Sequence, residues 1–137
     1  PADMAVNLHV CRGNYHSAWA ASGGYEAVAQ TLFGGVGVDA FYLEYDSDRA
    51  GGFEPLRFIK NQLVVLGLVT SKSPALEDPA LLRRRIAEAA EYVPLDRLCL
   101  STQCGFASTE EGNVLTEEEQ WDKVRLVLRT ARSVWAG

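Results

Sequence analysis

Strand-like and helix-like segments alternate along the whole chain, and this alternation limits the possible fold more than any single motif does. The clearest strand is 63–69, an unbroken apolar run typical of a strand whose sheet is covered on both faces. Three more stretches read as strands, 5–10, 38–44 and 95–100. A helical stretch follows each strand, and these helices are predicted through 25–33, near 54–60, from Pro79 onwards and after the capping-box sequence at Thr116.

Four strand–helix units in a row indicate a parallel sheet, because parallel neighbours need a long crossover connection and a helix is the usual one. A closed TIM barrel has eight such units in about 250 residues, and this chain has 137 residues. We therefore predict an α/β fold of four parallel βα units, half of a TIM (β/α)8 barrel, as one domain over residues 1–137. A small flavodoxin-like open sheet is the alternative, but its two faces would both need helices, and the first two connections look too short for that.

Apolar residues at helical spacing predict which side chains of the last helix are buried. Trp121, Val124, Leu128 and Val134 recur at that spacing, and Trp121 and Trp135 are expected to anchor the core. Cys99 lies between two leucines inside a strand and is expected to behave as a small buried hydrophobe.

Charge and composition exclude several classes of partner. The net charge is -5 and the pI is near 5.0, which gives no electrostatic basis for binding nucleic acid or an anionic membrane. No apolar run is long enough to cross a bilayer, and the first ten residues lack the pattern of a secretion signal, so we expect a soluble, cytoplasmic protein. An odd number of widely spaced cysteines fits a reducing compartment, with metal-bound or buried thiols.

Possible metal ligands stand at three of the four predicted strand ends. His9 and Cys11 lie two residues apart, so in an extended segment they point to the same side and can reach one ion. Glu44 ends the second strand, and Cys104 follows the fourth. Because the carboxyl ends of parallel strands meet at one mouth, these side chains are expected to form a Zn2+ site with one imidazole, two thiolates and one carboxylate.

Three segments at these strand ends resemble the cobalamin-independent methionine synthase family. They are His9-Val10-Cys11-Arg12-Gly13-Asn14, Leu43-Glu44-Tyr45-Asp46 and Gln103-Cys104-Gly105-Phe106, which are similar to the HxCxGN, LExD and CG segments of the family. The resemblance extends to the shorter single-barrel relatives of the family and to the epoxyalkane:coenzyme M transferases. The similarity runs from about Leu8 to Trp135, over the C-terminal portion of a family catalytic barrel.

The resemblance implies a zinc enzyme that transfers a methyl or other alkyl group to a small thiol. In methionine synthase the donor is a methyl-folate and the acceptor is homocysteine, and zinc favours the thiolate that acts as nucleophile. The missing N-terminal half-barrel, or a second copy of the chain, would complete the barrel. Two departures point to the shorter branch: the family's His segment is replaced by Thr70-Ser71-Lys72-Ser73, and a second Cys after Cys11 is missing.

Three further residues are candidates for roles beside the metal. Lys72, at the end of the third strand, is a candidate catalytic acid or a binder of an anionic group, while Arg12 and Asn14 are candidates for substrate binding or for holding the ligand loop. A different class of function also stays open. In that alternative the chain is a catalytically silent half-barrel that binds zinc or dimerises, since residues that grip substrate would come from strands outside it.

Overall fold

The structure, a computed structural model, describes Pro1 and residues 3–107 and 109–136. Within these residues four parallel strands form one sheet in the order β1-β2-β3-β4. The strands are β1 (Asn7–Val10), β2 (Ala40–Glu44), β3 (Leu63–Val69) and β4 (Leu98–Thr102). Because all four run in the same direction, their carboxyl ends lie along one edge, where the predicted metal ligands were expected to meet.

Helices connect the strands. Helix α1 (Glu26–Gly35) joins β1 to β2, α2 (Pro79–Ala89) joins β3 to β4, and α3 (Glu117–Trp135) follows β4. Between β2 and β3 the short helix predicted near 54–60 is present as a 3-10 helix, Glu54–Phe58, and another 3-10 helix, Asp48–Ala50, precedes it. The helix Glu54–Phe58 ends there because Ile59 is extended, with ψ 130. A further 3-10 helix, Leu95–Arg97, occupies the start of the segment predicted as the fourth strand.

The helices cover one face of the sheet. Phe41 and Leu43 of β2 and Val64 and Leu66 of β3 are almost fully buried, and they form one core with residues of the helices, including Phe33. Side chains alternate between the faces of a strand, so Tyr42 and Leu63 point to the other side, where they are 37% and 42% exposed.

The sequential strand order is that of a barrel wall. A flavodoxin-like sheet changes direction after its first strands and carries helices on both faces. The chain therefore forms four consecutive parallel strands, of which β1, β3 and β4 are followed by α-helices and β2 by 3-10 helices, and the predicted α/β half-barrel is confirmed.

Helix α3 begins as predicted, and Val134 packs against the core as expected, but the fully buried residues of the helix are others. The Thr116 hydroxyl accepts from the N–H of Glu119, and the Glu119 carboxylate accepts from the N–H of Thr116, which completes the capping box. The buried side chains are Lys123, Leu126 and Thr130.

The prediction that Trp121 anchors the core was wrong, because this residue is 44% exposed. Leu128 is also on the exposed side of α3, at 49%. The row of buried residues on α3 differs from the predicted row because Lys123 can be buried. Its ammonium forms an ion pair with Glu77, 3.0 Å away. Trp135 does pack against the core, and its Nε1 donates to the carbonyl oxygen of Leu95. None of the helices in the described part of the chain combines the length and apolar character that a bilayer crossing requires.

Candidate metal centre

The four predicted ligands meet at the carboxyl edge of the sheet. His9 lies on β1, Cys11 follows that strand directly, Glu44 is the last residue of β2, and Cys104 lies two residues after the end of β4. Their potential ligand atoms all lie within 4.8 Å of one another. Residues 93 positions apart in the chain, Cys11 and Cys104, are therefore neighbours in the fold.

The spacing of these atoms fits a tetrahedral zinc ion. The sulfurs of Cys11 and Cys104 are 4.0 Å apart, while two thiolates at about 2.3 Å from a tetrahedral zinc are about 3.8 Å from each other. One imidazole, two thiols and one carboxylate are also the side chains that zinc prefers in proteins. The residues present thus fit a zinc ion with only small movements of side chains.

Protons compete with a cation at this site. Partial desolvation raises the pKa of the Cys11 thiol to about 11, although the N–H of Gly13, 3.2 Å from the sulfur, acts in the opposite direction. The pKa of His9 is also raised, mainly by its hydrogen bond with Cys104, and burial opposes that effect. Both shifts favour the protonated side chains in the metal-free chain, so a cation that binds here displaces protons.

Glu44 is the buried member of the set, at 1% exposure, and both of its carboxylate oxygens accept hydrogen bonds. The main-chain N–H of Arg12 donates to Oε2 at 2.9 Å, and the side-chain amide of Gln103 donates to Oε1. The N–H of Glu44 itself donates to the hydroxyl of Tyr25 at 2.8 Å. Neighbouring groups therefore hold the carboxylate and the main chain of Glu44, as hydrogen bonds commonly hold side chains that bind metals.

The guanidinium of Arg12 contacts groups of the protein. It donates to the carbonyl oxygens of Gly23 and Glu44 and to the hydroxyl of Tyr25, and it lies 4.2 Å from the centre of the Tyr25 ring. These contacts fix the loop after β1, which carries Cys11.

Asn14 and Lys72 are both nearly buried, at 8% and 7% exposure. The Asn14 amide donates to the carbonyl oxygen of Gly105 at 2.8 Å, and its Oδ1 accepts no hydrogen bond from the part of the chain that the structure describes. The Lys72 ammonium donates to Oε1 of Gln103 at 2.9 Å and lies 5.3 Å from the centre of the Trp19 ring. Lys72 therefore reaches the metal site through Gln103. Catalytic or substrate-binding roles for Lys72, Arg12 and Asn14 stay predictions.

Sequence reasoning missed Gln103 and Ser71. The hydroxyl of Ser71 donates to Oε1 of Gln103, and both residues are buried. The only sequence signal was position, since Gln103 directly precedes Cys104 and Ser71 stands at a strand end.

A cavity of about 290 Å³ opens beside the site on the sheet face that the helices do not cover. His9 and Cys104 line it at the metal site, and Tyr42 lines it on the strand side. The cavity has room for a small molecule in contact with the predicted ligands.

The chain is similar to part of two longer proteins and to part of two solved structures. No family model matches the chain. Two uncharacterized proteins of Bacillus subtilis (strain 168), YxjH and YxjG, are each 58% identical to it over 98% of its length. The chain spans 36% of each of these relatives, or about a third of their length.

Two solved structures are likewise longer than this chain and are similar to it over part of their length. A provisionally assigned vitamin-B12 independent methionine synthase from Listeria monocytogenes is 47% identical, with a TM-score of 0.76, over 98% of this chain and 36% of its own. A B12-independent methionine synthase from Shewanella sp. W3-18-1, solved with selenomethionine, shares the fold at 20% identity and a TM-score of 0.76, over 96% of this chain and 39% of its own. The chain thus resembles a part of a cobalamin-independent methionine synthase, as its sequence predicts.

Proposed function

We propose that residues 1–137 form the metal-binding, C-terminal half of a barrel enzyme that transfers a methyl or other alkyl group to a thiol. One observation carries the proposal: ligand atoms of His9, Cys11, Glu44 and Cys104 lie within 4.8 Å of one another at the carboxyl ends of parallel strands. The 47% identity to the Listeria protein supports methyl transfer to homocysteine as the reaction of the complete barrel.

His9, Cys11, Glu44 and Cys104 would hold a zinc ion. When bound, the zinc would favour the deprotonated form of the substrate thiol, which is the nucleophile in thiol alkylation. The N–H of Gly13 stabilises negative charge on Cys11, and the Arg12 side chain fixes the loop that presents this sulfur. The cavity beside His9 and Cys104 would receive the substrate.

Asn14 and Lys72 would act on the substrate. The buried Oδ1 of Asn14, to which no group among the described residues donates, would accept a hydrogen bond from a substrate N–H or O–H. The Lys72 ammonium would attract an anionic group of donor or acceptor. Arg12, whose guanidinium is bonded to protein groups, would position the ligand loop.

The other part of the barrel would cover the exposed sheet face. Tyr42 and Leu63 are partly exposed on that face, and the relatives are about three times as long as this chain. A missing N-terminal half-barrel, or a second copy of the chain, would bury these residues and supply groups that bind the alkyl donor. A reducing cytoplasm would keep Cys11 and Cys104 available to the metal.

A second candidate function is a half-barrel that binds zinc without catalysing transfer alone. The short span relative to YxjH favours it, because the remaining wall of the substrate pocket would then belong to another polypeptide segment.

The test is alkyl transfer by the zinc-loaded chain, alone and after addition of the remaining part of YxjH. Homocysteine with a methyl-folate donor is compared with coenzyme M and an epoxyalkane. We expect transfer that depends on the added part and that Cys104→Ser abolishes, whereas Cys99→Ser, on a cysteine outside the ligand set, leaves it intact.

Zinc binding without transfer in any combination would favour the silent half-barrel. Transfer that survives both Cys11→Ser and Cys104→Ser would refute the proposed chemistry.

A further inference from the structure

We propose that Gln103 is a positioning residue that fixes the Glu44 carboxylate for the metal and connects it to Lys72. The inference rests on the proposed metal site and goes beyond it, since Gln103 is outside the predicted ligand set. Gln103 is 1% exposed, and its main-chain N–H donates to the carbonyl oxygen of Val69 at 2.7 Å. Its backbone is thus held by β3 while its side chain lies beside the ligands.

The hydrogen bonds of Gln103 allow one orientation of its amide. Oε1 accepts from the Lys72 ammonium at 2.9 Å and from the Ser71 hydroxyl at 3.1 Å, so Nε2 faces the Glu44 carboxylate and donates to it. The reversed amide would place an NH2 group against the ammonium and an oxygen against the carboxylate, and both contacts would be repulsive. The charges of Lys72 and Glu44 therefore both favour the orientation in which Nε2 of Gln103 meets Glu44, and the Glu44 carboxylate still favours it when Lys72 is replaced.

This amide limits how Glu44 can turn. Oε1 of Glu44 accepts from the Gln103 amide, and Oε2 of Glu44 accepts from the main-chain N–H of Arg12. Rotation about the last side-chain bond would break both hydrogen bonds inside a buried site. A metal ion thus meets a carboxylate whose orientation is already set, which reduces the reorganisation needed for binding.

Gly67 makes room for this arrangement. A Cβ on Gly67 would lie 2.9 Å from Cα of Gln103 and 2.8 Å from the carbonyl oxygen of Leu43, the residue before Glu44. Strand β3 lies between Glu44 and Gln103, and because it has glycine at position 67, no side chain separates these two residues where they meet.

The experiment uses Co2+ as the probe in the 137-residue chain. Its visible bands report coordination geometry, and its thiolate charge-transfer bands report bound cysteine. Gln103→Met removes the amide at similar volume, and we expect it to shift the visible bands and to weaken Co2+ binding about 10- to 100-fold. The charge-transfer bands should persist, because Cys11 and Cys104 are unchanged. Ser71→Ala keeps the bond from Gln103 to Glu44 and serves as the matched control, with band positions like the original chain.

A second variant covers the case in which Gln103→Met does not fold because Lys72 loses its acceptor. Gln103→Met combined with Lys72→Met removes the ammonium too and should show the same band shift, while Lys72→Met alone keeps the original band positions. If Gln103→Met folds, alone or with Lys72→Met, and keeps the original bands and Co2+ affinity, the role of Gln103 is overturned while the proposed metal site stands. If the original chain with Co2+ shows no thiolate charge-transfer bands, the proposed metal site is overturned, and the role of Gln103 with it.

Discussion

Replacing Gly67 with alanine should destabilise the fold and weaken metal binding together. The added Cβ would lie 2.8 Å from the Leu43 carbonyl oxygen and 2.9 Å from the Gln103 Cα. Both are backbone atoms, one in β2 and one directly after β4, so the contact can be relieved only by moving β2 and the end of β4 away from β3. Overpacking of this kind costs about 1–3 kcal/mol, which exceeds the gain of about 0.5–1 kcal/mol that alanine brings over glycine where it fits.

Spreading the strands would also separate Gln103 from Glu44, and the loss of such support lowers metal affinity about 10- to 100-fold. Urea unfolding of the metal-free chain measures the first effect, and zinc titration against a chelating indicator measures the second. Gly34→Ala is the matched control, because no heavy atom lies within 4 Å of a Cβ added in α1. A Gly67→Ala chain as stable as Gly34→Ala, with unchanged zinc affinity, would refute the reasoning.

Three further substitutions test the packing. Phe33→Ala should lower the free energy of unfolding by about 3–5 kcal/mol, measured in urea, because it removes a fully buried ring; a loss below 1 kcal/mol would contradict the described core. Glu77→Ala should cost about 3–5 kcal/mol by leaving the Lys123 ammonium buried without its carboxylate, and in the same assay Lys123→Met should cost much less; equal losses would count against this account. Thr116→Ala should cost about 1 kcal/mol by thermal or urea unfolding through loss of the α3 cap, and no change would show that the capping box contributes little.

The parts of the fold that depend on local pattern could be predicted from sequence. The apolar run of β3 and the cap of α3 appear where they were expected, because backbone conformation and burial at those places follow from neighbouring residues. The convergence of His9, Cys11, Glu44 and Cys104 was also predictable, since parallel strands bring their carboxyl ends to one edge, and His9 and Cys11 have the spacing that places them on one side.

The parts that depend on distant partners could not be predicted. Lys123 is buried because Glu77, 46 positions away, neutralises it, and this contact moves the buried stripe of α3 away from Trp121. Gln103 carries no charge and is not among the side chains that usually bind zinc, so only its bonds to Glu44 and Lys72 indicate its role. Such contacts are properties of the folded chain and leave no periodic signal in the sequence.

X-ray absorption at the zinc edge tests the central claim most directly. The zinc-loaded chain should show two sulfur neighbours at about 2.3 Å and nitrogen or oxygen neighbours at about 2.0–2.2 Å. Cys11→Ser and Cys104→Ser should each remove one sulfur neighbour or the metal itself, while Cys99→Ser should leave the spectrum unchanged. A spectrum without sulfur, or one that keeps both sulfur neighbours in Cys11→Ser and in Cys104→Ser, would contradict the convergence of His9, Cys11, Glu44 and Cys104 on one zinc ion.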